Sequence, residues 1–310
     1  MSKFHIITII CFSYITFVNA EKGNSKTSNI IPVDTIDGFM GKSYTLDGHT
    51  LPYRLYLPKK YNINQQYPLV IVLHGAGKSQ GNDNIAHLTS APKRWASEEI
   101  QQLAEAIVLA PQCPKNDSWI NLSMPDEALQ HKTQILKGST NQERRKIAYE
   151  LTGNNQLYFP LDPFNLTKSM MTLISLISQI KKEYAVDKSR VYAVGGSMGG
   201  YGTFCLVYNM PDEITAIVPI CGGADPINAK KIMNIPMWIF HGALDVTVPV
   251  TASRSIVKAL QEIGCKELIY TEFPDIGHGQ VGGRAYQLDE NQDGILDVPK
   301  WLFSKQLQNK

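Results

Sequence analysis

The chain has 310 residues, of which 43% are hydrophobic and 19% are charged, and its formal net charge is +2. This composition is typical of a globular protein, and the length suits one large α/β domain or two small ones. The small net charge argues against nucleic acid or an anionic membrane surface as a partner.

The first twenty residues have the pattern of a secretory signal peptide. Lys3 supplies a positive charge, residues 6–18 form an apolar run, and Ala20 ends a small-residue cleavage site. The run is short for a membrane span, and no other segment approaches about 20 apolar residues. We therefore predict a signal peptide over 1–20, a flexible leader over 21–37, no membrane span, and a secreted or periplasmic protein.

Export would permit disulfides among the four cysteines that follow the signal peptide. These are Cys113, Cys205, Cys221 and Cys265. They allow three complete pairings, and no Cys-x-x-Cys spacing is present. Buried free thiols explain the pattern equally well, so the disulfide state stays open at this point.

From residue 38 onward, strand patterns alternate with helix patterns. Residues 40–57 alternate apolar and polar side chains around Asp47-Gly48, which predicts an antiparallel hairpin. Short apolar runs typical of buried parallel strands follow at 69–73, 107–110, 191–194, 216–221, 237–240 and 268–273. Helix patterns lie at 93–106, 168–184, 251–263 and 298–306. We predict one α/β domain over 38–310, with an N-terminal antiparallel hairpin and a mostly parallel sheet covered by helices on both faces.

One long segment does not follow this alternation. Residues from about 116 to 162 are polar and interrupted by proline and glycine, with at most one helix near 141–151. A stretch of this length without strand character is often a functional loop. We predict a lid-like insertion at about 116–162.

The strand over 191–194 ends in the strongest chemical signal of the chain. It runs into Gly195-Gly196-Ser197-Met198-Gly199, and a helix-length segment follows. A Gly-x-Ser-x-Gly sequence between a strand and a helix is typical of a nucleophile elbow, whose strained turn requires small neighbours. We predict that Ser197 is a nucleophile; a glycine-rich tight turn is the alternative.

A serine nucleophile needs an imidazole base. His278 follows the last strand in a glycine-flanked stretch, where a flexible loop would let it reach Ser197. His74 and His241 each end a strand in His-Gly, and a packed or hydrogen-bonded loop histidine is the favoured interpretation for both. We therefore predict His278 as the base.

Three aspartates compete for the role of the acid that orients the base. They are Asp225, Asp245 and Asp275, and each could instead cap a turn or helix. Asp245 has the position between nucleophile and base that the chain order Ser, acid, His requires. We predict Asp245 as the acid.

The developing oxyanion needs two amide donors. The Met198 amide follows the nucleophile at the start of the predicted helix, and the Ala76 amide follows the strand that ends at His74. We predict these two amides as the oxyanion hole.

Together these segments resemble the phospholipase/carboxylesterase and feruloyl-esterase-like group of α/β-hydrolases. The matching motifs are 69–77 with 81–84, 110–114 with Trp119, 191–202, 219–226, 236–249 and 270–278. The resemblance extends from about 38 to 308, except for much of 120–162. It implies an α/β-hydrolase fold with Ser197, Asp245 and His278 as the triad, and it suggests substrate contacts by Gln112 and Trp119.

The resemblance implies a secreted serine carboxylic-ester hydrolase that needs no cofactor. Its expected substrates are carbohydrate-linked esters, with feruloyl or acetyl esters of polysaccharides first. A secreted prolyl-oligopeptidase-like serine peptidase with the same triad is an alternative, disfavoured because the chain has no room for a propeller domain. A non-catalytic carbohydrate-binding relative is a second alternative, disfavoured by the intact triad.

An acidic loop near the C-terminus resembles a calcium-binding loop. Its candidate ligands are Asp289, Asn291, Asp293 and Asp297. Position twelve of the pattern is Lys300, where a bidentate acid would be needed, and no entering helix precedes the loop. A solvated acidic loop is the favoured interpretation, with structural calcium as the alternative.

Overall fold

The computed structural model of the chain describes residues 34–121, 163–290, 294 and 296–307. The predicted signal peptide, most of the predicted leader and the greater part of the predicted insertion, including its helix near 141–151, lie outside the described residues.

A nine-stranded sheet forms the centre of the domain. In chain order its strands are β1 (Thr35–Ile36), β2 (Phe39–Leu46), β3 (His49–Tyr56), β4 (Tyr67–Leu73), β5 (Ile107–Pro111), β6 (Val186–Gly196), β7 (Ala216–Ile220), β8 (Met237–Gly242) and β9 (Leu268–Phe273). Their spatial order is β1-β2-β3-β5-β4-β6-β7-β8-β9. The pairs β1–β2, β2–β3 and β3–β5 are antiparallel, and every pair from β5 to β9 is parallel. The predicted mostly parallel sheet with an N-terminal hairpin is confirmed.

Helices cover both faces of this sheet. They are α1 (Ser90–Trp95), α2 (Glu98–Leu103), α3 (Lys168–Glu183), α4 (Met198–Asn209), a 3-10 helix (Pro226–Lys231), α5 (Thr251–Glu262), α6 (His278–Ala285) and α7 (Asp297–Phe303). The side chains of β4 alternate between two cores: Leu69, Ile71 and Leu73 pack with α3, α4 and α5, whereas Val70 and Val72 pack with α1, α2, α6 and α7. A strand buried on both faces explains why its sequence is a continuous apolar run.

The sheet begins earlier than the sequence predicts. Residues 34–37 were expected in the flexible leader, but β1 pairs with β2, and Gly41 N donates to Asp34 O at 2.7 Å. Asp34 Oδ2 also accepts from Arg54 Nη2 at 2.8 Å. Arg54 is fully buried, and a buried guanidinium needs such acceptors, so this end of the leader belongs to the domain.

Two helix predictions differ from the structure. The single helix expected at 93–106 is two short helices, because the Ser97 side chain caps a new start by accepting from Ile100 N. The flexible loop expected around His278 is helix α6, anchored by the buried side chains of Val281 and Ala285. The sequence does not predict this helix, because glycine is unfavourable in helices and three of its eight residues are glycines.

The start of the predicted insertion also belongs to the core. Trp119 and Ile120 are buried in the core beside α3, and Asp117 Oδ2 accepts from Ser169 N at 2.9 Å. Residues 116–121 are therefore part of the domain.

No disulfide joins Cys113, Cys205, Cys221 or Cys265 in the part of the chain that the structure describes, and the first three are buried. Within the same described residues, no helix combines the length and the apolar character needed to cross a membrane.

Candidate active site

The turn between β6 and α4 holds Ser197 in an unusual backbone conformation. Its φ is 59° and its ψ is −120°, a region that costs a residue with a side chain of order 1–3 kcal/mol. A Cβ on Gly199 would collide with the carbonyl oxygen of Leu73, and one on Gly195 would collide with that of Gly199. The glycines of the motif are therefore required by close backbone contact around the serine.

The predicted base and acid are hydrogen-bonded to each other. His278, the first residue of α6, lies with its Nδ1 2.6 Å from Asp245 Oδ2. Asp245 is buried, and its other oxygen accepts from Thr247 N at 2.8 Å and from Val248 N at 2.9 Å. These bonds hold the carboxylate still, so the imidazole has a defined orientation with Nε2 left for other chemistry.

The Asp245 carboxyl remains ionised despite its burial. Burial alone would raise the pKa of Asp245, but the hydrogen bonds from His241 and His278 outweigh it and hold that pKa well below its usual range. An acceptor-only carboxylate beside His278 favours the tautomer, and the orientation, that a general base needs.

Ser197 and His278 line the same cavity, which has a volume of about 280 Å³. The cavity lies at the carboxyl ends of the parallel strands, where ligands bind in open α/β sheets. Among the hydrogen bonds of the described residues, none joins Ser197 Oγ to His278, and such catalytic bonds are often long until substrate binds. A larger groove of about 780 Å³ lies beside the β2–β3 hairpin and contains none of the predicted catalytic residues.

The loop after β4 brings a backbone amide next to the serine. A Cβ on Gly75 would lie 3.4 Å from Ser197 Cβ, so the Gly75–Ala76 peptide lies against the turn. Neither the Ala76 amide nor the Met198 amide has a hydrogen-bond partner within the described residues. The role of these two amides as the oxyanion hole stays a prediction.

His74 orients this loop, a role that the sequence did not reveal. Its Nε2 accepts from Cys113 N at 2.9 Å, so the ring proton is on Nδ1, which donates to Gly75 O at 2.7 Å. In a trans peptide the carbonyl and the next amide point in opposite directions, so the bond to Gly75 O also sets the direction of the Ala76 amide. Burial lowers the pKa of His74 to about 4, which keeps this neutral tautomer.

His241 is a second histidine on the predicted acid. Its Nε2 is 3.3 Å from Asp245 Oδ2 and 3.0 Å from Val248 O, and its Nδ1 is 2.7 Å from Ser253 Oγ. Asp245 is therefore flanked by two imidazoles. These contacts agree with the predicted packed or hydrogen-bonded histidine, but the sequence did not single out Asp245 as its partner.

The predicted substrate contacts of Gln112 and Trp119 are not supported by their positions. Both are fully buried, and neither lines the cavity beside Ser197. Gln112 Oε1 accepts from Asn84 N at 2.7 Å, and Trp119 Nε1 donates to His74 O at 3.0 Å. The polar atoms of both side chains are hydrogen-bonded to loops of the domain, so they are not available to bind a substrate.

The two competing aspartates have other partners. Asp225 caps the 3-10 helix by accepting from Ile227 N at 3.0 Å. Asp275 pairs with Arg284 at 2.8 Å on the surface. The structure brings neither one to His278.

The predicted calcium loop is described only in part, since Asn291 and Asp293 lie outside the described residues. Asp289 Oδ2 accepts from Gly294 N at 3.0 Å, and Asp297 Oδ2 accepts from Glu290 N at 2.9 Å. These bonds within the loop explain two of the acidic residues without a metal, and calcium binding stays a prediction.

Comparison with known proteins finds esterases. No protein-family model matches the chain. The chain is 23% identical over 239 residues to a probable feruloyl esterase C of Aspergillus oryzae. The aligned residues cover 74% of this chain and 68% of that protein. A stretch of 80 residues, 26% of this chain, is 36% identical to a bifunctional acetylxylan esterase/xylanase of Neocallimastix patriciarum.

Solved structures agree on the fold. The crystal structure of a thermostable esterase is 33% identical, with a TM-score of 0.65 over 88% of this chain. A feruloyl esterase module from Clostridium thermocellum is 14% identical, with a TM-score of 0.51 over 78% of this chain. The chain spans 64% of the thermostable esterase and 12% of the Neocallimastix protein. The expected α/β-hydrolase fold and the resemblance to the esterase group are confirmed.

Proposed function

We propose that this α/β-hydrolase of the esterase group is a serine carboxylic-ester hydrolase. Ser197 attacks the ester carbonyl while His278 takes its proton, and His278 then protonates the leaving alcohol. In the second half of the reaction His278 takes a proton from water, which attacks the acyl-enzyme, releases the acid and restores Ser197. Asp245 orients the imidazole and stabilises it when it becomes charged. The amides of Ala76 and Met198 hold the oxyanion of the tetrahedral intermediate.

One observation supports this proposal above the others. The 2.6 Å contact between His278 Nδ1 and Asp245 Oδ2 leaves Nε2 as the free nitrogen of a residue that shares a cavity with Ser197. A buried carboxylate, an oriented imidazole and a strained serine at one sheet edge have the chemistry of acyl transfer.

The rate enhancement that this scheme requires of each group is within the range found for other enzymes. A positioned general base typically contributes about 10²–10⁴-fold to the rate, and one oxyanion donor contributes about 10²–10³-fold. The α4 helix adds its positive end to the Met198 amide at the site of developing charge.

We further propose that the substrates are carbohydrate-linked, with feruloyl or acetyl esters of polysaccharides first, and that the protein is secreted or periplasmic. The similarity to proteins named feruloyl esterase and acetylxylan esterase/xylanase supports the substrate class. The signal-peptide pattern of residues 1–20 supports export.

The test is Ser197→Ala, assayed on short 4-nitrophenyl esters and by labelling with a fluorophosphonate. We expect turnover to fall by at least about 10³-fold and labelling to disappear, with an unchanged melting temperature. Ser178→Ala is the matched control, because Ser178 Oγ donates to Ile174 O of its own helix α3 and has no other hydrogen-bond partner among the described residues. Turnover or labelling that persists in Ser197→Ala would exclude Ser197 as the nucleophile.

Substrate panels separate the alternatives. We expect feruloylated or acetylated oligosaccharides to be better substrates than aminoacyl amides. A preference for the amides would favour a peptidase. Binding of the oligosaccharides without turnover or fluorophosphonate labelling would favour a non-catalytic binding protein.

A further inference from the structure

The cavity beside Ser197 continues away from the reacting atoms, between helices α1 and α6. Ser90, Ala91 and Arg94 of α1 form one wall, and three glycines of α6 form the other. The volume of about 280 Å³ is close to the lower end for small-molecule sites. The cavity therefore has room for one substituent of a substrate besides the ester group.

The α6 wall is made of glycines that packing does not require. Gly279, Gly282 and Gly283 line the cavity, and a Cβ on any of them would meet no heavy atom within 4 Å. Their φ values are not positive, and glycine is, after proline, the least favourable residue in a helix. Three glycines in an eight-residue helix thus weaken it without a steric reason in the folded chain. The effect of the three glycines is that no side chain from α6 at these positions narrows the cavity.

Arg94 places a fixed positive charge in this space. Its guanidinium lies 5.5 Å from the centre of the Tyr286 ring, and its Nη1 donates to Tyr286 O at 3.3 Å. No carboxylate within the described residues pairs with it. Tyr286 holds the side chain in place, while several of its N–H donors remain available.

The other titratable side chains of the cavity do not neutralise this charge. Burial raises the pKa of the Cys221 thiol, and burial raises the pKa of Tyr286 to about 12, so both are neutral near pH 7. His278 is a base. Asp245, the acid that contacts His278, already has two backbone amides, His278 and His241 as its partners. The cavity is therefore complementary to a negatively charged group.

We infer that the substrate carries a carboxylate on the substituent that enters this cavity, and that Arg94 binds it across from the glycine wall of α6. This inference rests on the proposed ester hydrolysis and adds a specificity-determining residue to it. A guanidinium matches a carboxylate with two parallel N–H donors. The carboxylate can belong to the acyl group, as in a half ester of a dicarboxylic acid, or to the alcohol, as in an acidic sugar.

The experiment uses two pairs of esters that differ only in charge. For the acyl side, mono-4-nitrophenyl adipate is compared with its neutral methyl ester. For the alcohol side, 4-acetoxybenzoate is compared with methyl 4-acetoxybenzoate. In the wild type we expect kcat/KM to favour the anionic member of one pair, which identifies the side of the ester that enters the cavity.

Arg94→Met should reduce that preference about 10- to 100-fold, the range for a hydrogen bond to a charged group, and leave the neutral ester within about threefold. Arg94→Lys should keep part of the preference, because it retains the charge and loses the planar fork. Lys93→Met is the matched control: it removes the same charge from the same helix, but Lys93 pairs with Asp37 at 2.7 Å outside the cavity.

Two further measurements do not depend on Arg94→Met being stable. Raising the ionic strength should weaken the wild-type preference for the anionic ester, because salt screens a partly exposed charge. If the acyl side enters the cavity, Gly282→Leu should lower turnover of both adipate esters at least tenfold relative to that of 4-nitrophenyl acetate. If the alcohol side enters, it should lower turnover of both 4-acetoxybenzoates at least tenfold relative to that of ethyl acetate.

The outcomes separate this inference from the proposed function. If neither pair shows a preference for the anion, or if Arg94→Met leaves that preference unchanged, the inference is wrong and the esterase assignment stands. If the wild type hydrolyses none of the esters, including 4-nitrophenyl acetate, the proposed function itself fails.

Discussion

At the residue scale, His74 shows how one side chain can act on a site without touching the substrate. It donates from Nδ1 to Gly75 O, and it accepts at Nε2 from Cys113 N. The same peptide unit that receives the first bond carries the Ala76 amide. A histidine that the sequence predicts to be packed or hydrogen-bonded within a loop therefore sets the direction of a proposed oxyanion donor.

We expect His74→Phe to lower kcat for 4-nitrophenyl acetate about tenfold to hundredfold, because the Ala76 amide loses its fixed direction. KM should stay within about threefold, since the ground-state ester relies less on this amide. His74→Asn should recover part of the loss, because its amide can still donate to Gly75 O. Steady-state kinetics of the three proteins check this.

The control is His87→Phe. His87 is also buried, its ring centre is 6.2 Å from that of His74, and its Nε2 bonds to Ala110 O at 2.9 Å, away from the serine. It should keep the wild-type kcat. Equal losses in both variants, or no recovery in His74→Asn, would reduce His74 to a packing residue.

At the scale of the element, the turn after β6 is held by close backbone contacts between the start of α4 and the ends of two neighbouring strands, β4 and β7. Gly199 lies directly against the carbonyl oxygen of Leu73 at the end of β4, and Gly200 lies against that of Ile220 at the end of β7, where a Cβ would be 2.6 Å from the oxygen. The start of α4 is thus wedged between its neighbouring strands. This wedge holds the strained conformation of Ser197.

We expect Gly199→Ala to reduce the free energy of unfolding by at least about 3 kcal/mol, because the new methyl group overlaps a backbone atom that cannot move aside. Gly196→Ala is the matched variant: it lies in the same turn, but its Cβ would meet nothing within 4 Å. Its unfolding free energy should stay within about 1 kcal/mol of wild type. Urea denaturation measures both, and equal values for the two variants would contradict the wedge.

At the scale of the whole molecule, two buried histidines make stability depend on pH. Burial lowers the pKa of His74 and of His87 to about 4, against about 6.5 in an unfolded chain. Between these values the unfolded state binds more protons than the folded state. The free energy of unfolding therefore falls as the pH is lowered through this window.

From pH 7 to pH 5, each of the two histidines should remove about 2 kcal/mol from the unfolding free energy. His87→Phe should make the loss over this interval smaller by about 2 kcal/mol. Asp245, whose pKa is depressed, adds its own loss only at lower pH. Urea denaturation at both pH values provides the measurement, and an undiminished loss in His87→Phe would refute this origin.

The sequence by itself determined the architecture, because apolar runs and glycine motifs report burial and backbone shape locally. The parallel strands, the hairpin at Asp47-Gly48 and the elbow at Ser197 all lie where these patterns predict. The chain order also selected Asp245 and His278 out of several candidates, and the structure joins them by a hydrogen bond.

Only the tertiary structure decided which side chains face the cavity. Gln112 and Trp119 stand in matching motifs yet are buried, whereas Arg94 and the glycines of α6 belong to no motif and line the space beside Ser197. His74 and His241 acquire their contacts from residues that other strands and loops bring to them. The physical reason is that burial and backbone strain are encoded over a few neighbouring residues, while the walls of a cavity come from helices distant in the chain.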